Sequence, residues 1–118
     1  MINPTETSIP PTELPTTIQK FLAAHAAREA DAAVRSFTED AVVVDQDERY
    51  AGSAQVLDFL QRAGSEFTYT TELVTARRID ASQWAVVNRI EGDFPGHVAD
   101  LTYRFTLSGD LIRALTIR

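Results

Sequence analysis

The chain has 118 residues, no cysteine, two histidines and a net charge of -6. That length suits one domain with a core of its own. The acidic balance speaks against nucleic acid and anionic membrane surfaces, which need basic faces, and the absence of cysteine excludes disulfides, thiol nucleophiles and zinc–thiolate sites. The start lacks a basic stretch followed by an apolar run, and no apolar run approaches the roughly 20 residues of a membrane helix. The expectation is a cytoplasmic protein without membrane or nucleic-acid partners.

Four of the five prolines, Pro4, Pro10, Pro11 and Pro15, fall within the first 15 residues. Proline lacks a backbone donor, so residues 1–13 read as an extended tail, loose or lying along the body, ahead of a single domain at 14–118. A first helix starts near Pro15 and runs to about Glu29, with Ile18, Phe21, Leu22 and His25 on one face. Seven alanines between residues 23 and 33 allow close approach of another element. Asp31 can cap a short second helix that buries Ala33, Val34 and Phe37. The β-branched run Val42-Val43-Val44 then predicts a buried strand over 41–45, framed by Glu39, Asp40, Asp45, Asp47 and Glu48. Gly52-Ser53 opens a third helix, with Ser53 at the N-cap and Val56, Leu57, Phe59, Leu60 and Ala63 on its apolar side. Gly64 suits the left-handed position just beyond it.

After Gly64 the hydrophobic period changes from helical to two. Phe67, Tyr69, Thr71, Leu73 and Thr75 share one face of a long strand, Trp84, Val86, Asn88 and Ile90 one face of the next, and Leu101, Tyr103, Phe105 and Leu107 one face of a third. Gly92-Asp-Phe-Pro-Gly96 connects the second to the third, Ser108-Gly109-Asp110 makes a tight turn, and Leu111 to Arg118 forms the last strand. Helices must cover one face of this meander, giving an α+β domain. Apolar residues on the opposite face, Val74, Ala85 and Val87 among them, need cover as well, and a second copy of the chain is the simplest cover.

The order of elements resembles the nuclear transport factor 2-like superfamily, in particular its SnoaL-like branch and its small bacterial members. Phe21-Leu22-Ala-Ala-His25, Ser36-Phe-Thr-Glu-Asp-Ala-Val-Val-Val-Asp45, Tyr50-Ala-Gly52, Gly92-Asp-Phe-Pro-Gly96 and Leu101-Thr-Tyr-Arg-Phe-Thr-Leu107 carry the likeness, over about residues 14–118. The resemblance implies a cone-shaped, strongly curved antiparallel sheet wrapped around three N-terminal helices, a pocket inside the cone, and commonly a homodimer through the outer sheet face. The superfamily holds ketosteroid isomerase, cyclases, dehydratases, epoxide hydrolases and binders without catalysis, so fold does not choose function.

Asp45 falls where the isomerase pattern has its proton-transfer base, and a carboxylate at the rim of an apolar cavity has its proton affinity raised by desolvation. A solvated acid ending a strand is the structural alternative. By the same alignment Phe21 stands where the pattern has a tyrosine, and Leu101 where it has a neutral acid. Both oxyanion donors are therefore missing and ketosteroid isomerase activity is not expected. His25, one turn after Phe21, is either a core histidine or the acid–base partner of Asp45. Asn88, a lone amide on an apolar face, either orients a ligand or satisfies backbone. Phe21, Tyr69, Trp84 and Tyr103 are core residues that can also line a ligand pocket.

No metal is expected: Asp93 and His97 are too few, and Asp45-Gln-Asp47-Glu48 lacks the glycine and terminal glutamate of a calcium loop in their places. Phosphate-loop, nucleophile-elbow and zinc-helix motifs are absent, and no cofactor is implied. The sequence supports three functions: a domain binding a small apolar molecule in its pocket; a cofactor-independent cyclase, isomerase or dehydratase using Asp45 with His25; or a structural or regulatory dimerisation module, which the two apolar faces of the sheet suggest.

Overall fold

The computed structural model describes residues 6–65 and 69–118. In chain order it contains β1 (Thr7–Ile9), a 3-10 turn (Pro11–Glu13), α1 (Thr16–Ala26), α2 (Ala30–Val34), β2 (Phe37–Asp45), β3 (Glu48–Ala51), α3 (Ser53–Ser65), β4 (Tyr69–Arg78), β5 (Gln83–Gly92), β6 (Val98–Ser108) and β7 (Leu111–Ile117). The strands form one seven-stranded sheet in the order β1-β4-β5-β6-β7-β2-β3. The meander β4 to β7 is antiparallel as expected. One pairing is not: β2 runs parallel to β7, reached by a long return from the far side of the sheet. The sheet is curved and unclosed, and the helices cover its inner face. Among the described residues no helix is long and apolar enough to cross a membrane.

From residue 6 onward the proline-rich segment lies along the body. Thr7–Ile9 pairs with Ala76–Arg78 as an edge strand. Pro15 takes the N-cap of α1 with extended backbone, and the helix places Ile18 and Phe21 fully inside the core. The Thr17 hydroxyl donates to the Asp110 carbonyl, tying α1 to the β6–β7 turn. Helix α1 stops at Ala26, short of Glu29, because Arg28 takes a positive φ of 60° that ends the helical path.

Several boundaries differ from the sequence reading. Strand β2 begins at Phe37, earlier than 41, so Phe37 belongs to the sheet and not to α2. Glu48–Ala51 is a strand that its charged sequence concealed; the β2–β3 hairpin turns at Gln46 and Asp47, both with positive φ. Ser53 is the first residue of α3 and not its cap, and its hydroxyl donates to the Glu39 carbonyl. Helix α3 continues through Gly64 to Ser65, so Gly64 does not terminate it. Phe67 lies outside the described residues.

The largest correction concerns β4. Leu73 pairs with Asn88 but Thr75 pairs with Val87, leaving Val74 as an extra residue in a bulge. From there the alternation changes phase. Ala76 is buried and Thr75 exposed, so Thr75 leaves the face that Tyr69, Thr71 and Leu73 share. A second irregularity, at Arg113, lets both Ile112 and Leu115 face the core beside Phe105. Bulges add bend and twist, and these two fall on strands that wrap the helices.

Candidate functional site

At one end of the inner face the helices and sheet separate, leaving a cavity of about 350 Å³. Its wall is largely apolar: Phe59 from α3, Tyr69 from β4, Ile90 from β5, Ala99, Leu101 and Tyr103 from β6, Ile117 from β7, and Phe94 and Pro95 from the β5–β6 connection. His25, Asp45 and Gln46 bring polar atoms to it.

Asp45 is held there by the strand that ends on it. Val43, two residues earlier and on the same side, is fully buried. The Asp45 backbone pairs with Ile117 on one side and Glu48 on the other. The turn that follows is pinned by the Gln46 N–H donating to the Ile117 carbonyl at 3.0 Å. Ile117 in turn sits opposite Tyr103. Asp45, Ile117 and Tyr103 thus form a row across three strands, and its ends lie two strand spacings, about 10 Å, apart.

His25 comes from the last turn of α1. Its ring stacks on Phe21 with centroids 5.4 Å apart and planes 11° off parallel. Its Nε2 lies 3.3 Å from the Tyr103 hydroxyl. In one tautomer the hydroxyl donates to Nε2; in the other Nε2–H donates to the phenol oxygen, and the O–H is left for the cavity. Burial pushes the His25 pKa from 6.5 down to about 4, so the ring is neutral near pH 7. Burial also raises the Tyr103 phenol far above its ordinary value, and Tyr69 and Asp45 add to the shift. Tyr69 is raised too, mainly by burial; Arg28 opposes this and Asp45 adds to it. Arg28 places its guanidinium 5.2 Å from the Tyr69 ring centroid and donates to the Tyr69 carbonyl at 3.0 Å.

Of the residues singled out from sequence, Asp45, His25, Tyr69 and Tyr103 meet at this cavity. Phe21 lies behind His25, fully buried, with Phe37 and Phe105 edge-on to it. Asn88 is buried on the inner face between Val86 and Ile90 and is not part of the lining. Trp84 lies toward the other end of β5, where the Arg78 guanidinium is 5.9 Å from its ring centroid. Sequence reasoning missed Phe59, Ile90, Phe94, Pro95 and Leu101 as wall residues. The signal for Phe94 and Pro95 was available: two apolar residues in a connection otherwise built for turning. Gly92 N–H donates to the His97 carbonyl and His97 N–H to the Phe94 carbonyl, closing that loop over the cavity's edge. No group of three His, Asp or Glu side chains able to hold a metal occurs among the described residues.

The fold is shared with many solved structures. A candidate polyketide cyclase from Sinorhizobium meliloti is 28% identical, with 93% of this chain and 100% of that one covered at a TM-score of 0.85. A protein with a ketosteroid isomerase-like fold from Catenulispora acidiphila, solved with trimethylamine, is 15% identical over 88% of this chain and 85% of its own, at 0.77. A nuclear transport factor 2-like protein of unknown function from Cytophaga hutchinsonii is 12% identical over 86% and 85%, at 0.70. No family model and no curated protein sequence matches the chain.

Proposed function

We propose that this chain, which has the nuclear transport factor 2-like fold and resembles its SnoaL-like branch, holds a small apolar molecule in the cavity between α1, α3 and the inner sheet face. The observation that carries the reading is the wall itself. Aromatic and aliphatic side chains surround about 350 Å³, and a few polar groups (Asp45, Gln46, the His25–Tyr103 pair) converge on one side, the usual make-up of a small-molecule site. Native mass spectrometry of freshly purified protein tests it. A retained small molecule is expected, and Leu101→Trp, which fills the cavity, abolishes the retention. No retained mass, together with no thermal shift across one- and two-ring apolar compounds, overturns it.

A second reading, a cofactor-independent acid–base enzyme, is favoured by one observation: Asp45 and His25 line the same cavity. The base would be Asp45, since a histidine with a pKa of about 4 is a weak base near neutral pH. His25 and Tyr103 would then act as neutral hydrogen-bonding groups. Ketosteroid isomerization remains unexpected, because Phe21 is sealed in the core and Leu101 offers no donor. Conversion of a retained compound by the native protein but not by Asp45→Asn selects this reading, and unchanged turnover in Asp45→Asn rejects it.

The proposal extends to a homodimer through the outer sheet face, supported by Val42, Val44, Val87 and Ala114, which lie half-buried opposite the inner rows. Light scattering at high concentration that returns the monomer mass rejects it.

A further inference from the structure

Resting on the reading of the outer sheet face as a homodimer contact, we propose that the two copies pack with their strands antiparallel, about a twofold axis running across the strands at Val87 and Thr102. Arg104 of each copy then meets Asp100 of the partner subunit, and Arg77 meets Glu72 of the partner subunit. Backbone pairing lines up three rows on this face across β4, β5 and β6: Arg77–Ala85–Arg104, Thr75–Val87–Thr102 and Glu72–Arg89–Asp100. On β6, Arg104 and Asp100 stand two residues to either side of Thr102. On β4, Arg77 and Glu72 stand one row to either side of Thr75, because the bulge at Val74 absorbs the extra residue and brings Glu72 to the outside. The first row is basic and continues through Thr116 and Val44 to Arg49. The third is acidic on balance: Arg89 is held by Asp100 at 2.9 Å and faces Glu72 and Glu91 as well. The middle row is uncharged, with Val87 and Thr102 half-buried. Beyond the third row on β6 lies Val98, 53% exposed.

Two copies of one face meet about a twofold axis lying in the plane of contact. An axis across the strands exchanges the first row with the third and lays the middle row on itself. Strand β6 then faces β6 and β4 faces β4, and each arginine meets a carboxylate. An axis along the strands through β5 does the opposite. It sets Arg104 against Arg77 of the partner subunit and Asp100 against Glu72 of the partner subunit, like charge on like, which suppresses that orientation. Packed sheets stand about 10 Å apart, a gap that an arginine and a carboxylate bridge between them. Their strands cross at about 30°, which keeps the rows in reach of each other. The bonds within one copy do not compete. Asp100 keeps Arg89 and has lone pairs for a second guanidinium, while Arg104 spends one N–H on Gln83 at 3.0 Å and has others to give.

Sedimentation equilibrium of the full chain tests the orientation through the dimer dissociation constant. Arg104→Glu alone and Asp100→Arg alone are each expected to weaken the dimer at least about tenfold. Mixed one to one, the two variants are expected to form a heterodimer within about threefold of the native affinity, because each face then carries the charges that the other requires. Arg77→Glu mixed with Glu72→Arg repeats the test on β4. Arg104 and Asp100 are exposed, so their substitution is expected to leave the fold intact. With the axis along the strands, Arg104→Glu would meet Arg77 of the partner subunit and tighten the dimer. An unchanged or tighter Arg104→Glu dimer therefore overturns the antiparallel assignment but leaves the homodimer standing. A mixture that associates no better than its components overturns the assignment in the same way. A native protein that stays monomeric at high concentration overturns the assignment and the homodimer together.

Discussion

The Tyr103 hydroxyl and the His25 Nε2 meet at 3.3 Å, joining β6 to α1 across 78 residues of sequence at the inner edge of the cavity. Each is enclosed by apolar neighbours: His25 lies on Phe21, and Tyr103 stands beside Phe105. Tyr103→Phe removes one partner and leaves a mostly buried imidazole nitrogen without it. The expected loss is about 1–3 kcal/mol, since an orphaned polar group costs more than the bond contributed. His25→Phe keeps the stacking on Phe21. The double variant His25→Phe/Tyr103→Phe is therefore expected to lose less than the sum of the singles. Urea unfolding of the four proteins checks this.

The same histidine makes stability depend on pH. Its pKa in the folded protein is about 4, below its ordinary value of 6.5. Between those values the unfolded chain binds the proton and the native protein does not. The contribution is complete above about pH 6.5 and is lost as pH falls toward 4. Relative to His25→Phe, the native protein is expected to lose about 2 kcal/mol more stability between pH 7 and pH 5. Parallel stability curves for the two proteins over that range would contradict the assignment of His25 as buried and neutral.

The phase change in β4 can be tested by charge. Ala76 is 2% exposed and faces the core, whereas Thr75 is exposed. Ala76→Asp buries a carboxylate in the core and is expected to cost more than about 3 kcal/mol or to prevent folding. Thr75→Asp is expected to cost about 1 kcal/mol or less. Without the bulge at Val74 the order would reverse, because Thr75 would share the face of Leu73. Circular dichroism melts of the two variants decide it.

That bulge also marks the limit of what the sequence reveals. Helices α1 and α3 and strands β4 to β7 are legible because their apolar periods are long and regular. One extra residue in a strand leaves no mark in composition, so strict alternation carries Thr75 to the wrong face. Strand β3 is hidden because Glu48-Arg49-Tyr50-Ala51 has the charge of a turn and forms only by pairing with β2. The parallel β2–β7 contact joins segments about 70 residues apart, and no local pattern encodes it. In the site, Asp45 is visible because a valine run ends on an acid. The His25–Tyr103 contact is invisible, since each residue reads as core within its own element and only the fold brings them together.

Asp45 owes its position to the turn after it, and that turn is not optimal. Gln46 and Asp47 both have positive φ, 47° and 75°, in a two-residue hairpin loop. Such loops favour glycine at the second position, where a side chain pays a steric penalty. Asp47→Gly is expected to raise stability by about 0.5–1 kcal/mol, since relief of the left-handed conformation outweighs the added freedom of the unfolded chain. Asp47 is exposed and is not part of the cavity wall, so ligand affinity at Asp45 is expected to stay unchanged. Asn-Gly is the preferred pair for this turn, but Gln46→Asn alters a wall residue and is expected to change affinity as well as stability. Thermal melts with ligand titrations on both variants separate the two effects. A destabilised Asp47→Gly would show that the Asp47 side chain holds the turn through contacts of its own.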